Sequence, residues 1–296
     1  MYKKATLLCM LLSFLVCFFS VSDSARVCEV RYTTKGKSNA DRLSADAIKK
    51  LDGKQNAEEK KMKVIGLLGG MSWHSTVEYY RIINELISEK LGGYHSAHVI
   101  IYSVDFAPIE KGHRENRWDD MGDILADAAK ALKTAGAEFI VICANTMHKV
   151  AEPVEKASGL PLIHIADATG EAIKRQELHK VALLGTSFTM KEDFIKDRLK
   201  ERFALEIIVP DEKDQEIINQ IIYDELGKGI IKESSRKAYL EIINKLIKRG
   251  AEGVILGCTE IPLLIRPQDV DIPIFNTTKL HAEAAVDFAL SEISEN

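Results

Sequence analysis

The chain repeats itself, and the repeat limits its fold more than any single motif does. Lys63-Val64-Ile65-Gly66-Leu67-Leu68-Gly69 resembles Lys180-Val181-Ala182-Leu183-Leu184-Gly185, with the two Leu-Leu-Gly elements 116 residues apart. Gly136-Ala137-Glu138-Phe139-Ile140-Val141-Ile142 resembles Gly250-Ala251-Glu252-Gly253-Val254-Ile255-Leu256 at an offset of 114. Two matches in the same order at nearly the same offset point to a duplicated unit. Short apolar, β-branched runs at 64–68, 97–102, 139–142, 181–184, 205–209, 254–256 and 272–275 predict strands. Between them, apolar residues recur at helical spacing over 77–90, 119–135, 149–157, 167–175, 191–203, 214–226 and 234–248. This alternation predicts an α/β protein of two related parallel-sheet halves, 62–160 and 161–275, with a last helix at 276–296 closing the chain.

The first sixty residues have a different character. Residues 1–25 run from Met1-Tyr2-Lys3-Lys4 through the apolar stretch 5–21 to Ser22-Asp23-Ser24-Ala25, the layout of a signal peptide. A stretch of that length is also at the lower edge of a membrane span, so an uncleaved signal anchor is the alternative. Residues 26–61 are polar and without periodicity, a spacer or the second part of a two-step organelle address. The expectation is entry into the secretory pathway, then secretion or delivery to an organelle. At Met62-Lys63-Val64-Ile65-Gly66 the composition switches to that of a buried strand.

Charge and cysteine count narrow the function. Forty basic against 44 acidic side chains leave no electrostatic footprint for nucleic acid, and a small polar ligand is the default. Five cysteines are too few for a disulfide framework: Cys9 and Cys17 fall in the signal, Cys28 in the spacer, and Cys143 and Cys258 in the folded part. A free functional thiol suits a reducing compartment, which favours an organelle over secretion.

Open parallel sheets bind ligands beyond the carboxyl ends of their strands. The residues to inspect are therefore Cys143-Ala144-Asn145-Thr146 and, at the matching place in the repeat, Gly257-Cys258-Thr259-Glu260. If the halves face each other, these two tetrapeptides confront one ligand. Cys258 precedes a helix start with Pro262 in its first turn, where the dipole lowers a thiol's pKa. It is a candidate base or nucleophile; the plainer reading is a small buried apolar residue. Cys143, one residue before Ala144 on a strand edge, should point to the opposite face. Asn145 and Thr146 offer amide, hydroxyl and backbone donors for a carboxylate, or cap the next helix.

Gly69-Gly70-Met71-Ser72 is the first strand-to-helix turn, whose glycines bring backbone to a ligand or make a tight bend. Ser75-Thr76-Val77-Glu78 then reads as a capping box. No dinucleotide or phosphate-loop glycine pattern occurs, and no Cys-x-x-Cys or His-Glu-x-x-His, so cofactor and metal readings have no anchor. His74, His95, His98, His148, His164 and His281 are scattered and read as structural. Asn276-Thr277-Thr278 fits a glycosylation sequon.

Taken together, residues 65–73, Asn145-Thr146-Met147-His148, residues 185–190 and Gly257-Cys258-Thr259-Glu260 resemble the cofactor-independent aspartate/glutamate racemase family. The likeness spans 62–296 and lies nearest the bacterial branch acting on L-aspartate and L-glutamate. It implies two pseudosymmetric α/β domains facing one cleft, a homodimer, a free amino acid as substrate, and no pyridoxal phosphate or metal. Two residues on opposite faces of the substrate, usually both cysteines, would move the α-proton. Carried over by position, Cys258 is the acid/base of one face, and Met71, Asn145, Thr146, Thr259 and Glu260 are substrate contacts. His113 takes the place of a polar substrate contact, with Arg114 and Arg117 as nearby carboxylate partners. Ala144 stands at the first catalytic position, where the family has cysteine and the nearest branch threonine, and alanine carries no proton. Three readings follow: a racemase using Cys258 with another group on the far face, a one-base decarboxylase or exchange enzyme using Cys258 alone, or a silent protein that binds acidic amino acids.

Overall fold

The computed structural model describes residues 61–292. The signal expected at 1–25 and nearly all of the spacer expected at 26–61 lie outside the described residues, as do the last four positions of the expected closing helix. The first half contains β1 (Ile65–Gly69), α1 (Trp73–Leu91), β2 (Val99–Ser103), α2 (Phe106–Arg114), α3 (Trp118–Thr134), β3 (Phe139–Ile142), α4 (Ala151–Ser158) and β4 (Leu162–Ile163). Then come α5 (Ile165–Lys174), β5 (Lys180–Gly185), α6 (Ser187–Lys191), α7 (Lys196–Phe203), β6 (Glu206–Ile208), α8 (Glu212–Asp224) and α9 (Glu233–Lys248). The chain finishes with β7 (Gly253–Gly257), α10 (Ile261–Leu264), β8 (Ile274–Asn276) and α11 (Thr277–Leu290).

The strands form two four-stranded sheets in the orders β2-β1-β3-β4 and β6-β5-β7-β8, every pair parallel. The halves are thus the same sheet built twice. The repeat found in the sequence maps onto the two central strands of each sheet, with Leu67 beside Val141 in one and Leu183 beside Ile255 in the other. Central parallel strands are covered on both faces and need unbroken apolar runs, which is why they carry the repeat.

Alternation along each strand divides the core into layers. Ile65, Leu67, Phe139 and Val141 face Tyr79, Ile83 and Ile87 of α1, while Leu68, Ile140 and Ile142 face Leu125, Ala129 and Leu132 of α3. In the second sheet Ala182, Leu184, Val254 and Leu256 face α8 and α9, and Val181, Leu183 and Ile255 face α5 and α7. Each fully buried Leu, Ile or Val is worth about 1.5–3 kcal/mol, against about 0–1 for an exposed ion pair, so these layers and not the surface charges hold the fold. The last helix, α11, lays Ala282, Ala285, Val286 and Ala289 on the α1 side of the first sheet, so the chain's end closes onto its beginning.

The structure departs from the sequence expectations locally. β4 joins the first sheet beyond the expected boundary at 160; two residues are too few to show any period. The helix α2, with Pro108 in its tolerated first turn, was not expected. Residues 75–78 are no capping box: α1 starts at Trp73 with Ser72 as its cap residue. Ser75 Oγ donates instead to the Cys143 carbonyl at 2.6 Å, and the Gly70 N–H donates to Thr76 Oγ1 at 2.8 Å. Gly70, at φ 95°, serves the tight bend, since a Cβ there would lie 2.1 Å from the Val104 carbonyl oxygen.

Candidate active site

The turns after the central strands enclose a cavity of about 300 Å³, the size for a small molecule. The first half contributes Met71 after β1, His113 from α2, and Ala144, Asn145 and Thr146 after β3. Opposite them stand Cys258, Thr259 and Glu260 after β7. Cys258 and the six expected substrate contacts, Met71, His113, Asn145, Thr146, Thr259 and Glu260, therefore reach this one cleft. Thr186, after β5, and Tyr223, on α8, also line it. Thr186 occupies the strand-end turn that pairs with Gly70 in the repeat, a signal that could have found it; Tyr223 comes from a helix face that carries no such mark.

Strand alternation decides which side chains enter. Cys143 continues the Phe139–Val141 face and is buried against Tyr79 and α11, whereas Ala144 continues the Ile140–Ile142 face and lines the cleft. Burial pushes the Cys143 thiol far up. Cys258 continues the Val254–Leu256 face, packs within the second-half core at 8 % exposure, and presents its sulfur to the cleft wall.

The Cys258 thiol donates to Glu260 Oε2 at 2.9 Å, and Thr259 Oγ1 donates to the same oxygen at 2.7 Å. From the other half, Ser72 Oγ donates to Glu260 Oε1 at 3.2 Å. Burial, then the Glu260 carboxylate, push the thiol well above its usual range. This corrects the expectation of a lowered pKa. Backbone N–H groups of Glu260 and Ile261 do favour the thiolate, but α10 is a single turn of four residues. Such a helix end is worth about 0.3–1 kcal/mol, under one pKa unit, against 3–5 units for full burial. Cys258 rests as a thiol.

On the facing wall Asn145 is 6 % exposed, and its amide Nδ2 has no hydrogen-bond partner. It starts the turn at Thr146–Val150 but makes no side-chain cap, so the capping reading is set aside. Thr146 Oγ1 lies 3.1 Å from Thr186 Oγ1 and 3.4 Å from Thr189 Oγ1, a hydroxyl cluster joining the halves. His113 is 8 % exposed, packed between Trp118 and Phe188, with Nε2 3.2 Å from Met147 Sδ and Nδ1 unpartnered. Tyr223 is exposed at the rim, and its phenol is pushed up to about 12 by desolvation and then by Cys258, Glu110 and Glu260, so it stays a donor.

Arg114 and Arg117 do not line the cleft. Arg114 pairs with Glu110 at 2.8 Å, and Arg117 with Glu115 at 2.7 Å and with Asp120. On α2 the residue after His113 is rotated about a quarter-turn away, toward solvent. The histidines are less scattered than the sequence suggests. His148, His164 and His281 gather behind the site, with ring centroids 4.7 Å apart for His148–His164 and 5.3 Å for His148–His281. The His148 imidazole bonds the Ala144 carbonyl at 2.8 Å and the Ile165 N–H at 3.2 Å; His281 bonds the Ile163 carbonyl at 2.7 Å and Tyr79 Oη at 2.8 Å. This chain of bonds ties the turn bearing Ala144 to the crossing between the halves. In the sequon, Asn276 caps α11 by accepting from the Lys279 N–H, and Thr278 is buried.

A larger groove of about 1200 Å³ runs between α1, α5 and α11, away from the strand ends. Several of its charges answer one another, as in Arg81–Glu85, Lys90–Asp287 and Lys279–Glu283, and it lies apart from the strand-end turns that the repeat pairs. Among the described residues there is no group of three or more side chains placed to hold a metal ion, and no helix long and apolar enough to cross a membrane.

A duplicated α/β fold encloses between its strand ends a small cleft of mixed lining, with the Cys258 thiol on one wall and the Asn145 amide and Thr146 hydroxyl on the other, the form of a small-molecule site. Residues 68–285 match the family described as Asp/Glu/Hydantoin racemase, and the chain belongs to that amino-acid racemase family. It is 26 % identical over 235 residues to the broad specificity amino-acid racemase RacX of Bacillus subtilis, covering 77 % of this chain and 99 % of the relative. Among solved structures, a candidate Asp/Glu racemase from Yersinia pestis is 53 % identical with a TM-score of 0.74, over 77 % of this chain and all of that one. An aspartate racemase homologue from Pyrococcus horikoshii is 38 % identical with a TM-score of 0.68, over 77 % of this chain and 99 % of its own length.

Proposed function

We propose that this chain is a cofactor-independent racemase of acidic amino acids, moving the α-proton of aspartate or glutamate with Cys258 as the acid/base of one face. The observation that carries the reading is the Cys258 thiol held 2.9 Å from the Glu260 carboxylate in the wall of the cleft. The α-carbon of an amino acid is a very weak acid, so the enolate-like charge that forms on its carboxylate needs donors already in place. The Asn145 amide, which has no partner in the protein, and the Thr146 hydroxyl stand at the cleft to supply them.

Cys258 starts as a proton donor. In that direction its S–H bond breaks as a C–H bond forms on the substrate, and a thiolate remains. In the other direction the thiol first passes its proton to Glu260, then takes the α-proton as a thiolate. The hydroxyls of Thr259 and Ser72 orient the carboxylate that receives it.

The Ala144 side chain in the cleft favours a second reading, one-sided chemistry at Cys258, since that position has no proton to exchange. A decarboxylase would need an apolar pocket to expel a carboxylate; Met71, Phe106, Met147 and Ile222 give the cleft apolar surface, and the unpaired Asn145 amide speaks against expulsion. Incubating the full chain with L- and D-aspartate and glutamate in deuterated water separates the readings. Exchange with inversion supports the racemase, exchange without inversion the one-sided enzyme, and neither, with ligand-induced stabilisation, a binding protein. The homodimer belongs to the same proposal and predicts sedimentation at twice the monomer mass. Delivery by the amino-terminal sixty residues predicts that this segment carries a fluorescent protein into the secretory route, and a fusion left in the cytosol contradicts it.

A further inference from the structure

We propose, resting on the racemase reading, that His148 is a positioning residue for the first-half wall of the cleft, setting how Asn145 and Thr146 meet a substrate carboxylate. Ala144, Asn145 and Thr146 line the cleft just beyond β3, whose pairing with β1 stops at Ile142. The Ala144 carbonyl is therefore past the end of the ladder, and a carbonyl in so buried a place needs a donor from elsewhere. The His148 ring folds back over its own turn and supplies one, with Nδ1 2.8 Å from that oxygen. The carbonyl of Ala144 and the N–H of Asn145 belong to one planar peptide unit, so the bond that fixes the oxygen fixes the plane. It thereby fixes the direction in which Asn145 leaves the backbone.

The other ring nitrogen reaches into the second half. Ile165 stands in the first turn of α5, where a helix leaves its N–H groups without partners, and its N–H donates to His148 Nε2 at 3.2 Å. The next N–H, of Ala166, donates to His164 Nδ1 at 3.2 Å. A carbonyl only accepts and an amide N–H only donates, so the two bonds fix the His148 tautomer, with the proton on Nδ1 and the lone pair on Nε2. Helix α5 packs on Val181, Leu183 and Ile255 of β5 and β7, and β7 leads directly to Cys258. One neutral imidazole thus ties the turn of one wall to the layer beneath the thiol of the other. His148 is buried and is not among the residues lining the cleft, so it acts through the turn it holds and not on the substrate.

The test uses the different reach of two amides in the full chain. In His148→Asn the side-chain nitrogen takes the place of Nδ1 and keeps the bond to Ala144; in His148→Gln the amide takes the place of Nε2 and keeps the bond from Ile165. Each variant loses one buried bond, so urea unfolding should show similar losses of stability. For α-proton exchange of aspartate and glutamate in deuterated water, His148→Gln should raise KM about tenfold or more and His148→Asn about threefold or less, since only the first frees the Ala144 carbonyl. In an Asn145→Ala background, His148→Gln should add less than about twofold, because the group it directs is gone. Equal KM changes in the two single variants, or the full change again in the Asn145→Ala background, overturn the assignment. If the variants do not fold, the wild type carrying nitrogen-15 histidine decides: the His148 ring should carry its proton on Nδ1 and shift at saturating aspartate, and a proton on Nε2 or an unshifted signal overturns it. A wild type that neither exchanges the α-proton nor is stabilised by either amino acid removes the racemase reading, and the assignment with it.

Discussion

Cys258 Sγ and Glu260 Oε2 lie 2.9 Å apart, thiol donating to carboxylate, and both oxygens of that carboxylate are held by hydroxyls, one from each half of the molecule. The negative charge beside the sulfur is what keeps its proton on, beyond what burial does alone. Replacing Glu260 by Gln removes the charge and keeps a hydrogen-bonding group. The expected result is a fall of about 1–3 units in the pH at which Cys258 becomes reactive to iodoacetamide, the size of a like-charge effect at such range. Cys143, buried on the far face, should remain unreactive in the same experiment. An unchanged alkylation profile contradicts the pairing.

Ala144→Cys restores a thiol at the position that mirrors Cys258. The side chain projects into the cleft and not into the core layer that holds Cys143, so the added sulfur meets open space on one side. Racemisation should rise relative to one-sided exchange by at least tenfold, at a stability cost of about 1 kcal/mol or less. No gain in inversion, with substrate still bound, contradicts the assignment of Ala144 to the first face.

The hydroxyl cluster of Thr146, Thr186 and Thr189 joins the two halves beneath the cleft. Thr186→Val keeps the shape and removes the central hydroxyl. Thr146 and Thr189 stay within 3.4 Å of each other, but the Thr189 N–H loses the Thr186 oxygen that caps α6, so the loss should be about 2 kcal/mol in urea unfolding, about 1 for the cluster and about 1 for the cap. A loss above about 3 kcal/mol contradicts this.

How far the sequence revealed this molecule follows from burial. The central strands β1, β3, β5 and β7 are covered on both faces, so their sequences are forced into apolar runs and the duplication shows. The edge strands β2 and β6 are half exposed and differ freely, and β4 is two residues long. The cleft was legible because strand ends fix it: knowing where β3 and β7 stop gives Asn145, Thr146 and Cys258. The direction of the Cys258 pKa was not legible, because the dipole is implied by helix position while the reach of Glu260 back to the sulfur depends on one rotamer. Likewise His148, His164 and His281 come from three separated segments, and only the folded chain brings their rings together.

Those histidines make stability depend on pH. Burial holds His164 down at about 3 and His281 at about 4, and burial together with the two neighbouring imidazoles holds His148 well below the ordinary 6.5. Their folded-state values lie below the unfolded ones, so the unfolded chain binds more protons between them. Stability is therefore complete above pH 6.5 and is lost as the pH falls through 6.5 toward 4. Each histidine contributes at most about 1.4 kcal/mol per pH unit. Urea unfolding between pH 7.5 and 4.5 should show this loss, and His281→Gln should reduce its slope by one proton. A flat profile over that range contradicts the buried neutral cluster.

The central claim is that the Cys258 sulfur moves the α-proton. Its most direct measurement is the rate of α-proton exchange of aspartate and glutamate in deuterated water for the full chain and for Cys258→Ser, whose hydroxyl fits the same space but ionises far less readily. Exchange by the variant should fall at least a hundredfold while the amino acid still stabilises the fold. Exchange at the wild-type rate in Cys258→Ser would contradict it.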